Sequence, residues 1–167
     1  MNRPALQTPL TPRASASHGD VARLAAQLRE RGGGPSWADI AEAIQLAQRV
    51  EARHARDPDR PVGLADHLAA LSSRVHTLRV QEEHSLLPLL ITGGRRALDL
   101  ASRLMMSEHV DVEVLLLRLR ELTRTYASRL GAAEDWCALS RLCNKLEADL
   151  RAHLRQEDEV LYAALLN

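Results

Sequence analysis

The sequence predicts an all-α protein: an antiparallel up-down four-helix bundle with an extra short helix in front of it. Three observations point there. Apolar residues make up 46% of the 167-residue chain, yet only 2% of it is aromatic and Phe is absent, so the core is Leu, Ala, Val and Met, a set that favours helices over sheets. No stretch alternates apolar and polar residues as a half-buried strand would. Apolar residues instead return every three or four positions along segments separated by Gly and Pro.

The elements follow in order. Residues 1–17 are rich in Pro, Ser and Thr and read as a disordered tail. "GDVARLAAQLRER" is a short helix, closed by Gly32-Gly33-Gly34-Pro35. Residues 18–35 thus form a helix and a Gly-rich break, and the bundle proper occupies 36–167. Ser36 is placed to cap a helix reaching about Arg56, where "DPDRP" stops it. The next helix runs from Leu64 to about Ile91, with Pro88 loosening its last turn. After "TGG" a long helix covers about Arg95 to Arg129, Gly131 breaks it, and the last runs from about Ala133 to Leu166.

Formal charge is zero, from 22 basic and 22 acidic residues without a basic block, which argues against nucleic acid as a partner. No apolar run approaches the roughly 20 residues of a membrane span, and the N-terminus lacks the apolar segment of a secretory signal. Cys137 and Cys143 are six residues apart in one helical stretch. That spacing separates them by about 9 Å on different faces, too far for a bridge. A reducing, cytoplasmic location is the simplest expectation.

Steps of four and three define the buried seams. The helix from Leu64 gives Leu68, Leu71, Val75, Leu78, Glu82, Ser85 and Leu89. The next gives Ser102, Met105, His109, Val112, Leu116 and Leu119, and the last gives Trp136, Leu139, Cys143, Leu146, Leu150, His153 and Glu157. Glu82, His109, His153 and Glu157 therefore all face inward. Height decides which of them meet. His109 and His153 each lie twenty-two residues from the turn at Gly131, on the order of 30 Å along their helices. Glu157 is one turn beyond His153, and Glu82 falls within a couple of turns of His109. His54 also sits on a seam, but at the opposite end of the bundle, and is expected to be structural or partly exposed.

Two buried carboxylates without compensating charge are expensive. A cation removes the cost, because carboxylates bridge metals and imidazoles terminate them; di-iron four-helix bundles use such sets on facing helices. Iron, manganese or zinc each suit two Glu and two His, and iron with vacant positions binds O₂ or NO. Glu108, Asp111 and Glu113 read as a solvated flank, and Met105 and Met106 as core filler.

"MMSEH" (Met105 to His109), "HLRQEDEVLY" (His153 to Tyr162) and "LRVQEEHSLLP" (Leu78 to Pro88) together resemble the hemerythrin-like, HHE cation-binding proteins. The nearest branch is the di-iron proteins linked to iron–sulfur cluster repair. "RVEARH" followed by Asp-Pro and "GLADHL" resembles the end of that family's first bundle helix. The resemblance spans about residues 36 to 166. It implies iron, mono- or dinuclear, held by Glu82, His109, His153 and Glu157, with zinc or manganese as alternatives. It also implies a role in O₂ or NO sensing, oxidative or nitrosative stress or iron handling.

Two positions depart from the family. Leu78 stands where the family has the His of a His-x-x-x-Glu-Glu segment, and the His of its first bundle helix falls near Gly33. Of the nearby histidines that would have to compensate, His76 and His84 point away from the seam and His18 would serve only if the first helix packs beside the gap. Turnover of an organic substrate has no specific support. The competing expectation is a metal-free helical interaction or regulatory domain that kept the fold and lost the complete di-iron site.

Overall fold

The computed structural model describes residues 35–56, 62–86, 88–89, 95–127 and 134–165, together with Ala26. The expected tail and nearly all of the short first helix lie outside the described residues. Four α-helices form the bundle: α1 (Trp37–Arg53), α2 (Leu64–Gln81), α3 (Arg95–Ala127) and α4 (Glu134–Leu165). A single π-helical turn, Glu82–Leu86, continues α2, and there is no strand among the described residues. Each helix packs on its sequence neighbour, and α1 packs on α4.

Side-chain bridges fix the directions. Arg53 pairs with Asp135 at one end of α1 and α4, whereas Asp39, near the start of α1, meets Lys145 further along α4. His67 reaches the Leu115 carbonyl at 2.8 Å, and Arg74 pairs with Glu108 and Asp111. Between α3 and α4 the pairs are Arg120 with Glu147, Glu113 with Arg151, and His109 with Asp158. In every case the residue number rises on one helix as it falls on the other, so neighbours are antiparallel, as short connections require.

The helices begin where the local chemistry provides for their free N–H groups. Ser36 occupies the N-cap position of α1, but its hydroxyl makes no cap hydrogen bond. At α2 the cap comes from another helix: Glu51 Oε1 accepts from the backbone N–H of Leu64 at 2.8 Å and of Ala65 at 3.1 Å. Gly63 supplies the turn before α2 with a φ of +80°, a conformation costly for any residue with a Cβ. α1 ends at Arg53, slightly earlier than its composition indicates.

The predicted seams are the core. Leu64, Leu68, Leu71, Val75 and Leu78 of α2, Val112, Leu116 and Leu119 of α3, and Trp136, Leu139, Leu146 and Leu150 of α4 are all buried. Each such Leu contributes about 1.5–3 kcal/mol through removal from water. Leu154 and Glu147 are buried as well, one position off the 4-3 series. Glu147 is tolerated there because Arg120 and Arg151 both donate to it. Truncation in the centre of the seam should be costly: Leu139→Ala, at a side chain with no solvent exposure, is expected to lower stability by about 2–5 kcal/mol in denaturant unfolding.

Candidate metal centre

Glu82 opens the π-turn of α2. Pro88 follows six residues later and lacks the N–H that would close a regular α-turn onto residue 84. A π-turn holds one extra residue, so side chains beyond it are rotated relative to the seam. Ser85, expected on the seam, is exposed for this reason, while Glu82 immediately before the shift keeps its inward position.

Glu82 from α2, His109 from α3 and Glu157 from α4 converge. Each offers one ligating atom, and these atoms lie within 4.8 Å of one another. Glu157 Oε2 is 3.3 Å from His109 Nε2, and its other oxygen is 2.7 Å from His153 Nε2. All four residues are less than a tenth exposed. Glu82 Oε1 and His153 Nδ1 find no hydrogen-bond partner, and His109 Nε2, His153 Nε2 and Glu157 Oε2 meet only one another, in contacts too poorly aligned for a regular hydrogen bond. Buried donors and acceptors are normally satisfied, so under-satisfied groups gathered from three helices suit a cation. Two carboxylates and imidazole nitrogens are a donor set suited to iron, zinc or manganese.

His109 is oriented by a residue that the seam does not reveal. Its Nδ1 lies 2.8 Å from Oδ1 of Asp158. Because a carboxylate oxygen accepts, Nδ1 carries the hydrogen, and Nε2 is turned toward Glu157. Asp158 is partly exposed and follows Glu157 directly, so periodicity assigns it to the flank. Its only trace in the sequence is the acidic run "EDE" beside an inward-facing Glu.

The other histidines do not join. His76 is exposed and packs edge-on against Trp37, with ring centroids 5.8 Å apart. His84 is exposed and bonds the Val80 carbonyl. His54 is half-buried at the far end, beside Arg53, Glu134 and Asp135. His18 lies outside the described residues. His153 contacts Glu157 but stands beside the three-residue group rather than within it. Leu78, one turn before Glu82, is buried as an apolar filler. Glu108 and Asp111 are held by Arg74 and Glu113 by Arg151, away from the cluster, and Met105 is core.

The electrostatics are those of a coupled pair. Burial, followed by the negative charge of Glu157, pushes the Glu82 carboxyl up to about 9. Burial also acts to raise Glu157, but His109 and His153 outweigh it and hold its carboxyl down to about 2. For His109, burial opposes the charged form, and the carboxylates of Glu157 and Asp158 reverse that and raise it. Without a cation, one carboxylate is thus ionised against imidazoles and the other keeps its proton.

The profile described as "Hemerythrin HHE cation binding domain" matches residues 11–165. The chain belongs to this hemerythrin-like family. It is 30% identical over 130 residues to the iron-sulfur cluster repair protein DnrN of Neisseria gonorrhoeae, covering 78% of this chain and 82% of that protein. It is 32% identical over 128 residues to the iron-sulfur cluster repair protein YtfE of Citrobacter koseri, and 31% identical to that of Salmonella typhimurium. These two alignments cover 76% of this chain but 58% of each relative. Iron is the cofactor that membership of the hemerythrin-like family brings to the bundle.

The raised carboxyl has a consequence for stability. Glu82 has a folded pKa of about 9 against the ordinary 4.5, so its protonated form favours folding fully below about 4.5 and that contribution is lost as pH rises toward 9. Gln mimics the protonated acid. In the metal-free chain, Glu82→Gln should therefore raise stability by on the order of 2 kcal/mol at pH 8. The advantage should vanish below about pH 4.5, as measured by thermal unfolding across pH.

Proposed function

We propose that this protein is a hemerythrin-like, non-haem iron protein of the oxidative or nitrosative stress response or of iron handling. Its cation would be held by Glu82, His109 and Glu157, with His153 as the fourth donor. The observation that supports this most directly is the set of buried ligating atoms of Glu82, His109 and Glu157, which three helices bring within 4.8 Å of one another. Relatives named for iron–sulfur cluster repair support the stress role, and two free cysteines agree with a reducing, cytoplasmic setting. No described helix is long and apolar enough to cross a membrane.

Bound iron with open coordination positions supplies reversible binding or reduction of small diatomic molecules such as O₂ or NO. The protein's part is positional. Glu157 brings a standing negative charge, Asp158 fixes the ring of His109, and Glu82 gives up its proton when a cation takes its place. Leu78 presents methyl groups where a further imidazole would complete a second metal position, and the reading is accordingly one cation per chain, held asymmetrically.

A second reading is supported by the same pair of carboxylates. With Glu82 protonated and Glu157 ionised against two imidazoles, the bundle is electrically self-consistent without a metal, as a metal-free regulatory or interaction domain would be. Elemental analysis of protein purified without a metal-affinity tag separates the two. About one iron per chain is expected; none, together with a Tm unmoved by Fe²⁺ or Zn²⁺, would overturn the metal reading. Glu157→Ala is expected to abolish metal retention while His76→Ala leaves it unchanged, and equal effects would show that the inward cluster is not the site.

Leu78→His tests the asymmetry. One turn before Glu82 on the same face, the new imidazole should raise iron content toward about two per chain, read by elemental analysis. Unchanged stoichiometry would mean that Leu78 does not limit the site.

A further inference from the structure

α3 has two seams. The inner one packs in the core. On the opposite side, Leu100, Val110, Val114 and Leu117 are between 51% and 61% exposed, and they fall on a second series of alternating four- and three-residue steps. Arg103 and Ser107 fill the intervening positions, and Arg96 and Glu121 extend it at the two ends. Leu104, 60% exposed, flanks it. From Leu100 to Leu117 this stripe is about 26 Å long. Singly exposed apolar residues need no explanation, but an aligned strip with coiled-coil spacing marks an interaction surface.

We propose that this face of α3 pairs with the same face of a second copy, antiparallel about a two-fold axis. The sequence of the stripe selects that occupant and that orientation. A two-fold placed between Ser107 and Val110 maps the series onto itself: Leu100 meets Leu117 of the other copy, and Val110 meets Ser107. Val114 then lies under the aliphatic stem of Arg103. At both ends the charges become complementary, with Arg96 opposite Glu121 and Asp99 opposite Arg118. All four are at the surface, and Asp99, Arg118 and Glu121 are between 48% and 67% exposed. Within one chain Arg118 already contacts Glu121, and Arg103 contacts Asp99. Docking therefore joins two local pairs, with Arg96, into a five-membered set at each end rather than creating buried lone charges. A parallel pairing would instead set Arg96 against Arg96 and Glu121 against Glu121, which like-charge repulsion disfavours. A single helix-to-helix seam lies at the small end of specific interfaces, so dissociation in the micromolar range is expected, on the order of 10 µM.

Sedimentation equilibrium of the full chain, from about 2 to about 200 µM, tests this. A concentration-dependent dimer is expected. Leu117→Glu should weaken it at least about tenfold, since the new carboxylate would face Leu100 beside Asp99. Because Leu117 is exposed, the far-UV circular dichroism and Tm of the monomer should stay unchanged. Arg96→Glu and Glu121→Arg should each weaken association, and the two together in one chain should restore it, because an isologous antiparallel pair exchanges both partners at once. A monomer throughout, whether the face stays open or another segment of the chain covers it, would overturn the proposal. So would a dimer indifferent to Leu117→Glu, and failure of the double charge swap to rescue would overturn the antiparallel register. The stripe faces away from the metal cluster, so association should survive removal of metal and substitution of Glu157, and its failure is separable from failure of the metal reading.

Discussion

The structure turns on two carboxylates inside a core made of leucine and alanine. Glu82 and Glu157 share one small volume with His109, and a low-dielectric interior does not accept two like charges without compensation. The bundle leaves two outcomes. One carboxylate can keep a proton while the other is ionised against imidazoles, or a cation can neutralise both. Both require His109 and His153 to approach Glu157, and both require Glu82 to face inward at the same height. The lengths of α2, α3 and α4 and their antiparallel packing meet that requirement.

Two local devices make the convergence work. The π-turn at Glu82–Leu86 lets the chain leave the regular α series immediately after its inward carboxylate. Without that shift Ser85 would follow Glu82 into the core, and a second polar group would need a partner. The other device is Asp158, which takes the outer nitrogen of His109 and so commits the inner one to the cluster. About ten residues earlier on α4, Glu147 shows how the same bundle treats a buried carboxylate without a site. Arg120 and Arg151 donate to it directly, and no orphaned atom of Glu147 remains.

The fold was legible because a leucine-based helix records its burial as spacing. Every described residue of the α4 seam, from Trp136 to Glu157, is buried, and the inward direction of Glu82, His109 and His153 follows from the same count. What spacing did not reveal has a common cause. Spacing puts Ser85 on the seam because the count assumes an unbroken α period, and the π-turn breaks it. Asp158 and Glu147 lie one position off their seam, where side-chain length rather than direction decides whether a group reaches a partner. His153 faces the right way at the right height, yet it reaches Glu157 and not Glu82. Rotamer choice within a helix face is invisible to periodicity. The α1 cap shows the same limit: Ser36 has the expected residue type, but its hydroxyl makes no cap bond.

Leu78 joins these features into one physical picture. It is buried one turn before Glu82, where a histidine would place a positive or ligating nitrogen against that carboxyl. A leucine there removes water without supplying charge, and burial is the largest cause of the high Glu82 pKa. The opposite wall of the cluster is unlike it: Glu157 is flanked by two imidazoles and held ionised. The site is therefore polarised, with a neutral acid on the α2 side and an imidazole-stabilised carboxylate on the α4 side. A cation entering such a cluster meets standing charge from α4 and must displace a proton on α2. Its binding would therefore be coupled to pH. On the proposed metal reading, leucine at this one position would favour a single cation over a pair.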